Sequence, residues 1–406
     1  MGKIWLIGNT GVRNPMRIQD AFRIYSESGF VGNIRGVERE IAFMRHLAAN
    51  GILNNEQGRD PSGSYARKFR LMFNKMGFAY GDERAYPGVS QDDIGPIDGV
   101  TPFGRSFLNA ETVPAVQEFF IRAQSVRLTE AEGGRLFSPL RWTIAVMMEL
   151  RNRTGEASLT FSDFAAYVQM SDPGAEVGTI VDSILAHRAE RDASAAKKRY
   201  DTNFYRVLFE GNVTKAATCK DYADMNIRYL KATGLFHGKG KGFAIGDEKI
   251  ILAEKIAEEE QFSDESMRDR LAHLYNSAPL PSDDKEVART VLDGLVERLR
   301  MNGVEYVVDP NSLTTAVDLN TACHNIEERL SMSEEEKFAK DQKNRWEEIA
   351  DYMDLLIQHK NSKVYDDDRE IKVPKEEASA YLEWSLWRAF LAMNTLKNKP
   401  YEIRRF

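Results

Sequence analysis

The chain has 406 residues, 42% hydrophobic and 29% charged, with a formal net charge of −7. That length asks for two to four domains, with ample apolar material for a core. No apolar run reaches the roughly 18 residues of a membrane span, and the N-terminus lacks the charged-then-apolar order of a signal segment, so no membrane partner is expected. Cys219 and Cys323 stand far apart without a CxxC, which implies no disulfide framework and suits a reducing cytoplasm. The acidic total argues against nucleic acid, but its distribution argues for it. Residues 1–80 hold 12 Lys and Arg against 6 Asp and Glu, so a local +6 leaves −13 for the rest.

MGKIWLIGNTGVRNP opens with a short buried strand or extended segment, Ile4 to Ile7, and runs into a Gly/Asn/Pro loop. Asn9, Thr10, Arg13 and Asn14 crowd donors onto that loop. Turn chemistry accounts for the Asn and Gly residues but not for Arg13. A helix is expected from about Arg17 to Ser26. The loop GFVGNIRG, which holds Arg35, leads to a second helix from Val37 to Asn50, striped by Ile41, Met44 and Leu47.

The stretch 62–78, SGSYARKFRLMFNKMGF, is the most informative in the chain. Tyr65, Phe69, Met72, Phe73 and Met76 fall at i, i+4, i+7, i+8 and i+11, one stripe of a helix. Arg67, Lys68, Arg70, Asn74 and Lys75 project from the other side with no acid among them. Ser62 or Ser64 is suited to cap the start and Gly77 to end it. Such a face suits a recognition helix, with cations for phosphates and Arg and Asn forks for base edges. A solvated basic face on an ordinary surface helix is the plainer alternative. Two helices followed by a third and most basic one is the order of a winged helix-turn-helix.

Asp82 to Val100 reads as a long loop, after which Thr101-Pro102 starts a helical region with Val113 to Ser125 as its main helix. A second helical module begins near Phe137. Leu140 to Arg151 is strongly apolar, Leu159 to Phe164 looks like a capped helix start, and Val177 to Arg188 is a further helix. After a charged stretch at Lys197–Arg199, Lys220 to Thr233 forms a helix closed by Gly234. GLFHGKGKGFAIGD then reads as a β-hairpin with Lys239 and Lys241 at its tip. A helix closed by Gly before a basic hairpin repeats the winged-helix order, although a flexible hairpin bearing lysines explains it too. From Phe262 to Lys360 the chain is helical and acidic, striped by Val287, Val291, Leu295 and Leu299, and reads as a connecting domain. Asn361 to Pro374 is a polar break. Residues 381–396, YLEWSLWRAFLAMNTL, are apolar nearly all round and call for burial, with a partner expected outside this chain.

A Mg²⁺-dependent nuclease needs two or three carboxylates and a lysine. The nearest cluster is Asp366, Asp367, Asp368, Glu370 and Lys372. Glu370-x-Lys372 imitates half of such a motif, but no apolar strand precedes it and a charged linker explains it better. No GxxxxGK[ST], GxGxxG or HExxH appears, and the six histidines are scattered.

GNTGVRNPMRIQDAF (8–22), GNIRGVEREIAF (32–43), SYARKFRLMFNKMGF (64–78), DYADMNIRYLKATGLF (221–236) and YLEWSLWRAFLAMNTLKNKPYEIRRF (381–406) together resemble the AlwI-type restriction endonucleases, Type IIS enzymes with related nicking endonucleases. The resemblance implies an N-terminal recognition region of two winged-helix subdomains. A helical linker follows, and then a C-terminal nuclease domain that uses Mg²⁺ and cuts a short distance outside an asymmetric site. It also implies a bacterial or archaeal cytoplasm. In that family the YLEW–WRAF helix opens the nuclease domain, and Glu383 matches a glutamate associated with the metal site. The strands bearing the remaining nuclease residues follow the segment matching YEIRRF, where this sequence ends.

The expected fold is mainly α with small β wings, an α+β chain of tandem winged helices and a helical linker. Its divisions are 1–136, 137–261, 262–374 and 375–406. The expected function is recognition of double-stranded DNA by a monomer, with no cofactor for binding and the cleavage core in a separate domain or subunit. The expected contacts are Asn9, Thr10, Arg13, Arg35, Ser64, Arg67, Lys68, Arg70, Asn74 and Lys75 from the first module, and Arg228, Lys239 and Lys241 from the second. Two rivals are a winged-helix transcription regulator, which would self-associate on palindromes, and an intact endonuclease using Asp366–Lys372.

Overall fold

Ile18, Ala21, Phe22 and Tyr25 recur at helical spacing and form the buried face of α1 (Arg17–Ser26). Phe43, Met44 and Leu47 do the same for α2 (Val37–Ala49), and Phe69, Met72 and Phe73 for α3 (Ser64–Lys75). The three faces meet in an aromatic knot. Phe22 lies 5.0 Å from Phe73 between ring centroids, and Tyr25 lies 5.3 Å from Phe73 and 5.6 Å from Phe43. Burying each such ring stabilises the fold by roughly 1.5–3 kcal/mol. The computed structural model describes residues 4–53, 62–240, 242–304, 307, 312–366, 370–373 and 378–393.

α3 departs from its expected start. Gly63 occupies the cap position with φ 66°, and among the described residues no side chain caps the helix there. A Cβ at Gly63 would lie 2.9 Å from the Glu40 backbone, so the chain enters α3 pressed against α2, where serine does not fit. Gly77, at φ 74°, ends the helix in the left-handed turn that the sequence suggests.

The 82–100 loop contains the short helix α4 (Gln91–Ile94) and meets α3's exit at the isolated bridge Ala79–Val100 and at the Tyr80–Gly99 and Asp98–Tyr80 backbone bonds. No strand pair stands there among the described residues to serve as a wing. α5 (Pro102–Leu108) is capped by Thr101, whose Oγ1 accepts from Gly104 N at 2.8 Å and donates to the Gly77 carbonyl at 2.6 Å. Phe107 stacks flat on Phe78, 3.9 Å between centroids.

α6 (Val113–Ser125), the antiparallel pair β1 (Thr129–Glu130) and β2 (Leu136–Phe137), and α7 (Pro139–Thr154) follow. Next come β3 (Ser158–Thr160) and α8 (Phe161–Asp163), which opens with a Thr160/Asp163 capping box and runs on as a π-turn to Val168. α9 (Val177–Ala193), α10 (Lys197–Leu208) and α11 (Val213–Lys231) lead to β4 (Phe236–Lys239) and β5 (Gly242–Ile245). The sheet order is β3-β5-β4, all antiparallel, with Leu159 and Gly238 flanking Phe243. α12 (Ile250–Ala257) and α13 (Met267–Asn276) complete this run.

The chain forms two compact units, 1–295 with 308–324, and 296–307 with 325–406. In the first, a single hydrophobic core runs from Trp5 to Leu280, so residues 1–136 and 137–261 share one interior. Trp5, for example, sits edge-on to both Phe137 and Phe164. α14 (Lys285–Met301) and α15 (Ala316–Asn344) carry residues of both units. The second unit adds α16 (Trp346–Ile357), the hairpin β6 (Ser362–Val364) and β7 (Glu370–Lys372), and α17 (Ala378–Ala392).

The chain is thus mainly helical with small antiparallel sheets, as the sequence suggests. Of the strand or extended segment expected at Ile4–Ile7, no strand forms: Ile7 N donates to the buried Asn226 side chain and Trp5 N to the Gln169 carbonyl at 3.4 Å. Three local expectations differ. Lys197–Arg199 opens a full helix. The polar break at 361–374 holds the β6–β7 pair, which covers Leu355 with Ile371 and Val373. α17 turns Ser385, Arg388 and Leu391 inward and leaves Leu382, Leu386 and Phe390 more than 40% exposed. Arg388 explains that rotation, donating to Glu348 at 2.8 Å and Gln342 at 2.5 Å within its unit. Among the described residues no helix is long and apolar enough to cross a membrane.

Candidate nucleic-acid interface

The N-terminal loop is held against α11 by side chains far away in sequence. Asn226, wholly buried, accepts from Ile7 N at 2.8 Å and donates to the Trp5 carbonyl at 3.0 Å. The Tyr229 hydroxyl donates to the Val12 carbonyl at 2.8 Å. Tyr229 packs so closely that a Cβ at Gly8 would fall 2.1 Å from its ring. On the loop's other side a Cβ at Gly11 would fall 2.2 Å from the Lys68 chain of α3. The loop therefore fills the space between α3 and α11. The sequence places α3 and α11 in separate modules, and nothing in the turn residues of the loop marks the contact between them.

The expected contact residues divide into two sets. Arg13 is half-exposed and pairs with Asp221 and with Asp224 (3.2 Å) on α11; Arg228 pairs with the same Asp224 at 2.9 Å. Lys239, on the β4–β5 hairpin, pairs with Glu156 at 2.8 Å and remains half-exposed. Arg67 reaches Glu40 at 2.7 Å with 40% of its side chain exposed, and Lys68 lies over the Tyr65 ring at 4.5 Å. Arg13, Arg67, Lys68 and Arg228 thus stand on the loop and its two helices, and Lys239 on the hairpin.

The other set works inward. Arg35 pairs with Asp98 and Asp82, both at 2.5 Å. Hydrogen bonds from Arg84, reinforced by Arg35, hold the Asp82 carboxyl well below the usual carboxylate range. Asn74 donates to the Tyr80 carbonyl at 2.5 Å and to Asp98 at 3.3 Å, tying α3 to the 79–98 loop. Lys75 donates to the Leu6 carbonyl at 2.5 Å, and burial lowers its pKa to about 8. Arg70 meets Glu40 at 3.4 Å. Asn9 accepts from Gly11 N at 2.8 Å and so shapes the loop turn, with Thr10 half-buried beside it. Ser64 is the first residue of α3. Lys241 lies outside the described residues.

The sequence passed over exposed cations on α10 and α11: Arg199, Arg206 and Lys215 stand in solvent. Their signal was the amphipathic run Tyr200, Phe204, Leu208, which a stretch read only as charged conceals.

A family model for the AlwI restriction endonuclease matches residues 74–406. The chain belongs to that family. No curated protein matches it. Family membership brings restriction, nuclease and DNA-binding character, and the match takes in α11, the hairpin and the whole second unit. It begins at Asn74, inside α3, so the N-terminal loop and most of the basic helix stand outside it.

Cleavage chemistry is not assembled among the described residues. Glu383 is exposed on α17 and Asp366 is exposed before β7, while Glu370 pairs with Lys372 of its own strand at 2.6 Å. Asp367 and Asp368 lie outside the described residues. A Mg²⁺ site needs converging oxygen ligands, and no three His, Cys, Asp or Glu residues gather to hold an ion among the described residues. Glu383 alone does not fit one.

Proposed function

We propose that residues 1–261 recognise a short asymmetric site in double-stranded DNA as a monomer, with the N-terminal loop, α3 and α11 presenting one continuous face. The observation that carries this reading is the seat of the loop, with Gly11 against Lys68 of α3 and Arg13 against Asp221 and Asp224 of α11. A face built from three different elements has no two-fold axis, which suits an asymmetric site and one chain. Lys68, Arg228 and Lys239 are assigned to phosphates. Arg13 and Arg67 are assigned to base edges, because their forks are bidentate. Arg35, Asn74 and Lys75 act from beneath by fixing the loops.

The four-part reading stays part of the proposal. The winged-helix reading of 137–261 is supported by the β3-β5-β4 order with α11 directly before the hairpin. For 1–136 the support is the three-helix order alone. Cutting a short distance outside the bound site, on one strand or two, is proposed for a separate nuclease domain or subunit.

The test is selection of the full chain against randomised duplexes at physiological salt, with Mg²⁺ in half the tubes. An enriched asymmetric motif is expected, and equal retention of every sequence would overturn the reading. Cuts near the motif in the Mg²⁺ tubes would place catalysis in this chain, and intact DNA would make it a recognition protein.

A further inference from the structure

The C-terminal half of α3 forms one wall of a cleft of about 310 Å³ in the first unit. That volume lies at the lower end of small-molecule pockets, roughly 300–1,000 Å³. Leu71, Tyr86, Leu128 and Leu140 supply apolar walls, and Arg70, Lys75 and Gln124 also line it. Gln124 is 7% exposed. Its Nε2 donates to the Tyr229 carbonyl at 2.9 Å, which fixes the amide, and its Oε1 is buried with no partner among the described residues. Buried acceptors are normally satisfied, so an orphan beside a cleft calls for a donor from water or from a ligand.

The cations at this cleft have donors to spare. Arg70 makes a long contact of 3.4 Å to Glu40, and Lys75 gives one bond to the Leu6 carbonyl. A guanidinium carries five N–H donors and an ammonium three. Arg35 is neutralised by Asp82, which also lines the cleft, and the single Glu40 carboxylate is shared by Arg67 and Arg70, so positive charge is left over at Arg70 and Lys75. A fitting ligand has a largely apolar body, an N–H group for Gln124, and anionic oxygens for Arg70 and Lys75.

We propose that this cleft binds a nucleotide, with its base against Gln124 and its phosphate at Arg70 and Lys75. A nucleotide swung out of a duplex and a free nucleotide share this chemistry. The first source rests on the DNA-binding reading above; the second does not.

The test uses the full chain and its Ala85→Trp variant. Ala85 is exposed and lines the cleft, in the short turn Glu83–Ala85, so added bulk obstructs the cleft without entering the core. Duplexes carrying the selected motif are substituted with 2-aminopurine at each position in turn. Separately, dAMP, dGMP, dCMP and dTMP are titrated by calorimetry. Extrusion into the cleft is expected to raise fluorescence about fivefold or more at one position in the unsubstituted chain and less than about twofold in A85W, with duplex affinity within about tenfold. Nucleotide binding that A85W abolishes, without a fluorescence response, supports the pocket and names free nucleotide as its source. A response that A85W leaves unchanged overturns the assignment to this cleft. Duplex binding with neither response overturns the pocket and leaves the DNA-binding reading standing. Nucleotide binding without duplex binding, lost in A85W, supports the pocket and overturns that reading.

Discussion

The Glu40 carboxylate, 5% exposed, lies 2.7 Å from Nη1 of Arg67 and 3.4 Å from Nη1 of Arg70. Both arginines of α3 therefore serve as counter-charges to a buried acid of α2. A buried carboxylate stripped of its partners is far more costly than the same pair replaced together. Replacing both arginines by alanine is expected to lower stability by about 2–4 kcal/mol, and by less than about 1 kcal/mol in a Glu40→Gln background. Urea denaturation of the four chains measures the difference. An equal loss in both backgrounds would show that the arginines do not act through Glu40.

Lys239 is half-exposed and forms a surface pair with Glu156, which is worth about 0–1 kcal/mol. Lys239→Ala should leave the melting temperature nearly unchanged. It should weaken DNA binding alike for selected and scrambled duplexes and make the salt slope shallower by about 1. Affinity measured at three salt concentrations tests this.

Asp221 and Asp224 stand on α11 and occupy Arg13 and Arg228. Replacing both with asparagine removes two negative charges and releases two guanidinium groups. Affinity for scrambled duplexes should rise by about tenfold or more at low salt, and discrimination should fall. Competition of selected against scrambled DNA reads both. No change for scrambled DNA would remove α11 from the DNA-facing surface.

Lys75 titrates near pH 8 in the folded chain because burial disfavours its charged form. The unfolded chain holds that proton up to the ordinary lysine value of about 10.4. Between these values the unfolded state binds more protons, so stability rises with pH across that window. Below about pH 8 the buried charge exerts its full penalty. Lys75→Met should flatten the rise, measured as the difference in unfolding free energy between pH 7.5 and 9.5 for the two chains.

Asn226 satisfies both Ile7 N and the Trp5 carbonyl. Asn226→Ala is expected to cost about 1–3 kcal/mol by leaving buried polar groups unpaired. Gly8→Ala should cost about as much through overpacking against Tyr229. Both should also weaken DNA binding, because the loop would lose its seat. Calorimetric melting and a binding titration separate the two effects.

The helices were legible because an apolar stripe and its caps lie within one short window. α1 and α6 fall on the expected residues, and the β4–β5 hairpin was marked by its Gly and Lys turn. α10 was not, since Tyr200, Phe204 and Leu208 are diluted by charges that solvate its outer face. The basic residues of α3 were legible as a face, but their partners were not. Glu40 sits 27 positions from Arg67, and Asp98 sits 63 from Arg35. The sequence by itself determined which residues form helices and which of their faces are apolar, because both depend on periodicity over a few turns. Only the tertiary structure decided which cations stay in solvent and which turn inward, and that the N-terminal loop joins α3 to α11. Those outcomes depend on groups brought within a few ångströms by packing, such as Asn226 and Ile7, 219 residues apart.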